Sequence, residues 1–153
     1  MSEGLRHRRV VTGLGEDGRS RVLIDGPVPR AHVMGGFAWI TREFPADNSV
    51  QQDFAPEPYS FDLMHRAAIF MVNEYAPGFG ADPYWHTTDT IDYVTVLEGE
   101  IIFMTETGEV TLGAGEFLVD RGVSHAWRND GKVPAVTAIV TVPAMPVGAG
   151  RSV

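Results

Sequence analysis

At 153 residues the chain is one domain by length, large enough to bury a core without staples. Apolar residues make up 44 % and charged residues 21 %, as in an ordinary folded globule; the absence of cysteine removes disulfides, thiolate catalysis, zinc–cysteine sites and iron–sulfur clusters. A formal charge of −8, from 20 acids against 12 bases, argues against a nucleic-acid partner, whose affinity comes largely from phosphate neutralisation. No apolar run approaches a membrane span, and the polar start from Met1 to Arg9 has no apolar signal region, so the expectation is a cytoplasmic protein with no membrane partner.

In chain order, Arg6-His7-Arg8-Arg9 is the only basic cluster. It is short, and the reading favoured over an anion-binding arm is a solvated lead-in to a strand. Val10–Thr12 and Arg21–Ile24 are β-rich and flank a spacer that reads Gly-x-Gly-x-x-Gly at Gly13, Gly15 and Gly18. A dinucleotide site is rejected: no helix pattern follows, and Glu16 and Asp17 repel a pyrophosphate. The spacer is expected to be a hairpin loop in which glycines supply positive φ. Ala31–Met34 and Phe37–Arg42 read as strands, with Gly35-Gly36 between them. Pro45–Pro58 is a long loop, of the kind that covers a site or a partner surface. A short helix is expected within Tyr59–Ala67, carrying His65 as a surface residue. Strands then follow at Ala68–Tyr75, Thr90–Leu97, Ile101–Thr105, Val110–Leu112, Glu116–Val119, Ser124–Trp127 and Ala135–Val142, punctuated by glycine turns. Short strands at such spacing predict an all-β sandwich or barrel.

Two stretches carry the chemistry. In Gly80–Gly99, His86, Thr88 and Asp92 are evenly spaced, so a strand points them to one face. In Gly115–Asn129, His125, Trp127 and Asn129 share a face by the same parity, as do Asp92, Val94 and Val96. Trp127 is therefore a candidate cavity wall if the histidines face inward.

These stretches resemble the two cupin motifs. Gly80, five residues, His86-x-Thr88, three residues, Asp92, six residues and Gly99 fit the spacing of the first; Gly115, Gly122, His125 and Asn129 fit the second, one residue short between the glycines. Thr88 stands where the family has a second His, Asp92 where it has a Glu, and Asp120 where a Pro is usual. The resemblance spans Ala67–Pro143 and implies an antiparallel cupin jelly-roll barrel (a double-stranded β-helix) with an N-terminal β extension. Residues 1–60 are expected to be strands and a loop packing on the barrel or a partner, 61–143 the barrel, and 144–153 a tail. Related small cupins commonly dimerise, which makes a homodimer the expectation.

Three readings of the site follow. In the first, His86, Asp92 and His125 hold a divalent metal (iron, manganese, nickel or zinc) as a two-histidine, one-carboxylate facial triad. In the second there is no metal, a histidine is the general base or acid, and Asp92 orients it or shares its proton. In the third the barrel binds a ligand without turning it over. The substrate expected is a small, oxygen-rich organic molecule inside the barrel, with Thr88 and Trp127 contacting it, and the reaction an oxygenation, decarboxylation, isomerisation or dehydration.

Overall fold

The computed structural model describes residues 4–153. Strands β1 (Arg8–Leu14) and β2 (Ser20–Pro27) form a separate antiparallel hairpin. Its loop closes through Gly15 N–H donating to the Arg19 carbonyl (3.0 Å). Of its three loop glycines only Gly18 has positive φ (72°), so the other two are not there for left-handed backbone.

The basic cluster is an anchor, not a solvated lead-in. Arg6 donates to Glu74 and Glu98, and His7 stands 2.7 Å from the same Glu74 carboxylate. Arg9 is buried, with its guanidinium on the Ala38 carbonyl and, in a fork, on Asp53 of the long loop. A forked Arg–carboxylate pair out of water ties three segments together. Asp53 is held below the usual carboxylate range by Arg9, against the opposing effect of its own burial.

Strands β3 (Arg30–His32) and β4 (Gly35–Thr41) follow. Gly35 and Gly36 are not the turn between them: both are buried within β4, and the chain reverses at Val33-Met34. A Cβ would lie 2.0 Å from the Val72 carbonyl at Gly35 and 1.8 Å from the Pro29 carbonyl at Gly36. Bare backbone is needed there for close strand approach. The loop from Pro45 to Pro58 tucks Phe54 and Ala55 against the core.

The helix is one turn, α1 (Phe61–Met64), shorter than the expected stretch. Ser60 caps it by accepting from Leu63 N–H (3.1 Å), and Leu63 and Met64 are its buried residues. His65 lies just beyond, with its Nδ1 against Arg151.

The remaining strands are β5 (Ala68–Tyr75), β6 (Thr90–Glu98), β7 (Glu100–Thr105), β8 (Gly108–Gly113), β9 (Phe117–Asp120), β10 (His125–Arg128) and β11 (Ala135–Pro143), each within one or two residues of its sequence expectation. One sheet runs β3-β4-β5-β11-β6-β9 and the other β10-β7-β8, all pairings antiparallel. Alternating apolar residues from both sheets meet between them. Phe37, Ile69, Met71, Val94 and Ile139 form one part of the core, and Tyr75, Val96, Ile101 and Phe103 another. This is the antiparallel all-β barrel the spacing predicts. Among the described residues no helix is long and apolar enough to cross a membrane.

Candidate functional site

His86 and His125 face each other across an antiparallel bridge that extends the smaller sheet beyond β10. His86 N–H donates to the His125 carbonyl (3.1 Å) and His125 N–H to the His86 carbonyl (3.0 Å). That pairing puts the imidazoles on one side, with ring centroids 4.4 Å apart.

Each ring is fixed through Nδ1. In His86 it stands 3.1 Å from the Tyr84 carbonyl; in His125 it stands 2.9 Å from the Val123 carbonyl and 3.1 Å from Asp120 Oδ2. A carbonyl only accepts, so Nδ1 carries a proton and donates in both rings, which leaves Nε2 as the atom turned to other partners. Neither Nε2 has a protein partner among the described residues. Burial and the neighbouring His125 push the pKa of His86 below its ordinary value, which keeps the ring neutral and basic.

Asp120 is the residue that sequence reasoning missed. Its Oδ1 accepts from Gly122 N–H (3.1 Å) and Val123 N–H (3.2 Å), closing the turn before β10, while Oδ2 steadies His125. The signal was present: an Asp two residues before a glycine builds an Asx-type turn. It occupies the place where the family's motif has Pro, and shapes the same turn with a side chain.

A cavity of about 400 Å³ opens beside the pair, and His86, Thr88, Asp92, His125 and Trp127 all line it. Asp92 comes from β6, opposite Thr141 of β11. Asp92 Oδ1 and Thr141 Oγ1 are both buried without a hydrogen-bond partner. Burial pushes the Asp92 carboxyl up to about 7; the Thr90 hydroxyl works against this and the Asp120 charge adds to it. Thr88 is buried and its hydroxyl lies 2.8 Å from that of Thr90.

The rest of the wall is aromatic and thioether: Tyr59, Phe61, Tyr75, Phe79, Tyr84 and Trp127, with Met34, Met64 and Met71. Tyr59 and Tyr75 are raised by burial and stay un-ionised phenols. His32 completes a second polar point, its Nε2 3.1 Å from Asn73 Oδ1 and its ring 4.8 Å from that of Tyr59. Asn73 was legible as an inward polar residue by its parity with Met71 and Tyr75; His32 and Tyr59 come from loops and strand ends that alternation does not place.

A facial triad needs three converging donors. Among the described residues no group of three or more His, Asp or Glu side chains stands where it could hold an ion. The two imidazoles stand side by side, and Asp92 lines the same cavity without forming a group of three with them. The donor set does not fit the expected ligand set of His86, Asp92 and His125.

The family model described as a cupin domain matches residues 71–142. The chain is 38 % identical over 82 residues, 52 % of this chain and 45 % of the relative, to oryzines biosynthesis cluster protein J of Aspergillus oryzae. It is 34 % identical over 112 residues, 65 % of this chain and 57 % of the relative, to phomopsin biosynthesis cluster protein D of Diaporthe leptostromiformis. The chain thus spans about half the length of the curated relatives it matches. Among solved structures it is similar to a conserved protein with a double-stranded β-helix domain from Klebsiella pneumoniae, at a TM-score of 0.46 and 24 % identity over 56 % of this chain and 72 % of the other. The match runs from within β5 to β11, the stretch that carries the histidine pair and much of the cavity wall, and residues 71–142 of this chain thus match a cupin domain.

Proposed function

We propose that the cavity is the active site of an enzyme that moves a proton on a small organic carbonyl compound, in an isomerisation or dehydration. The observation that carries this is the histidine pair: two rings held by Nδ1, with no protein partner at either Nε2 among the described residues. His86 Nε2 takes a proton from the carbon beside the substrate carbonyl, and the bonding pair moves onto the carbonyl oxygen. The Asp92 carboxyl, protonated to a large extent near neutral pH, donates its proton to that oxygen. Return of the His86 proton to the former carbonyl carbon, while an α-hydroxyl gives its proton to the Asp92 carboxylate and becomes the new carbonyl, completes an isomerisation. Delivery of that proton instead to a β-hydroxyl, which leaves as water while the enol returns its proton to Asp92 and re-forms the carbonyl, completes a dehydration. Asp120 acts through His125 as a positioning residue, fixing the ring against its neighbour. The relatives' membership of biosynthesis clusters supports small-molecule chemistry.

The test is hydrogen exchange. With a panel of small ketones and aldehydes in heavy water, the protein is expected to speed deuterium uptake, read by mass spectrometry. His86→Ala should lower the rate by about 10²–10⁴-fold, the usual weight of a positioned base. The rate should follow a narrow bell. It rises as His86 loses its proton below pH 6.5 and falls as Asp92 loses its own near 7. A strong chelator should leave the rate unchanged. Loss with chelator and recovery with added Fe(II), Mn(II) or Zn(II) would overturn this reading in favour of the metal one.

We also propose a homodimer in the cytoplasm. The β1–β2 hairpin pairs with no strand of the barrel and leaves Val10, Leu14 and Val22 exposed. Light scattering should give twice the chain mass, and a monomeric mass would sink the proposal.

A further inference from the structure

Among the described residues no Lys or Arg lines the cavity, and its two carboxyl groups are Asp82 and Asp92. Arg30, next in strand order to the cavity's His32, donates to the Val33 carbonyl (3.1 Å) instead. His86 is shifted toward its neutral form by burial. A carboxylate, phosphate or phosphonate entering here would lose its hydration and meet no Lys or Arg, with carboxyl groups in the wall. Burying an unpaired anion is among the costliest events in protein interiors. Anion sites elsewhere supply Arg, Lys or a ring of backbone N–H groups, and this wall shows none of those side chains.

What the wall supplies is ring surface and a few neutral hydrogen-bonding atoms. Tyr75 stacks on Trp127 at 6.0 Å between centroids, with an interplanar angle of 27°. Phe61 packs on His86 at 5.5 Å. Against this apolar wall stand two orphaned atoms on adjacent strands, Asp92 Oδ1 and Thr141 Oγ1, buried and without a partner in the protein. Buried polar atoms of native proteins find partners. Two orphans side by side on the wall of a cavity call for a ligand that supplies them.

We infer that this site takes an uncharged, flat aromatic molecule carrying a carbonyl or hydroxyl oxygen, seated with that oxygen between Asp92 and Thr141, and that it rejects anionic substrates. This narrows the oxygen-rich molecule of the sequence reading to a mainly apolar one with a localised oxygen function. It rests on the proposed function in taking this cavity as the working site. Protonated Asp92 donates to the ligand oxygen, and the Thr141 hydroxyl adds a second hydrogen bond. A volume of about 400 Å³ accommodates a bicyclic ring system.

The experiment compares near-isosteric probes that differ in charge. Binding of 2-acetylnaphthalene, of 2-naphthoate and of glucose 6-phosphate is measured by isothermal titration at pH 6.0, where Asp92 is mostly protonated. The ketone should bind at least roughly tenfold more tightly than the naphthoate, and the sugar phosphate should not compete. Thr141→Val, of nearly equal volume, should weaken the ketone about five- to tenfold and leave the thermal midpoint unchanged, which a purely structural role would not do. Equal or tighter binding of either anion overturns the inference, and so does failure of the ketone to bind. Deuterium exchange into the bound ketone's methyl group is read in the same samples. Ketone binding without exchange sinks the proton-transfer reaction and leaves the ligand class standing, so the two failures are distinguishable.

Discussion

Asn129→Ala is expected to cost about 3–5 kcal/mol of stability, the range for breaking a buried hydrogen-bond network, and to lower the thermal midpoint by roughly 10 °C. Asn129 is only 1 % exposed and every polar group it has is engaged. Its amide nitrogen donates to the carbonyls of Tyr75 (2.8 Å) and Val133 (3.0 Å), and its Oδ1 accepts from Gly131 N–H (2.9 Å). Its backbone takes Gly78 N–H at the carbonyl and gives its own N–H to Phe79. The side chain thus joins the end of β5 to the turn after β10, while the backbone of the same residue holds the loop before His86. Alanine removes all three side-chain bonds and takes from the buried Tyr75 carbonyl its amide partner. Gly80, in the same loop, lies tight against β10: its φ is +73°, and a Cβ there would lie 2.0 Å from the Trp127 carbonyl. Because this loop delivers His86, the loss should also weaken ligand binding in the surviving folded fraction. Circular dichroism on heating measures the first effect. A loss below about 1 kcal/mol would show that water replaces these bonds and that the loop does not depend on them.

Much of the barrel and the heart of the site were legible because both follow from period-two alternation. Val94 and Val96 share the inward face with Asp92, and His125 shares its face with Trp127, as parity requires. Gly80 and Asn129 were visible as motif positions, but the reason for them, a loop clamped on β10, is a tertiary contact that no local pattern encodes. Gly35-Gly36 was misread because paired glycines look like a turn; here they let strands approach where no Cβ fits. The basic cluster was misread because its partners, Asp53, Glu74 and Glu98, lie far along the chain. Asp120 was passed over because its work, holding a turn and a ring at once, depends on the fold bringing Nδ1 of His125 to it. Spacing puts Asp92 on the wall that the histidines share, but alternation alone does not say whether its carboxylate and the two imidazoles meet at one point.

Asp92→Asn is expected to stabilise the protein, and by an amount that depends on pH in a way that separates this carboxyl from all others. Folding raises the Asp92 pKa from 3.8 to about 7. A folded-state pKa above the unfolded one means that the native state holds its proton more tightly than the unfolded chain does. The native fold is therefore favoured below 3.8, and it loses stability as pH rises from there to about 7. Three units at about 1.4 kcal/mol each set an upper bound of roughly 4 kcal/mol for the ionic penalty at pH 8. Asparagine keeps the shape and never ionises, so the variant should gain about 2–4 kcal/mol over the wild type at pH 8, less at pH 5, and nothing near pH 3.5. Urea unfolding at those three pH values reads the difference directly. A gain that does not vary with pH would mean that Asp92 is not the group holding the proton, and would remove the acid from the proposed reaction. The sign of the effect also bears on function. An inward carboxyl whose desolvation weakens the fold, with no protein partner at Oδ1, is kept at a cost to stability, as working groups in active sites are. The same variant should then exchange slowly and lose the alkaline limb of the profile, the fall near pH 7, since the amide cannot deliver a proton to the substrate oxygen at any pH.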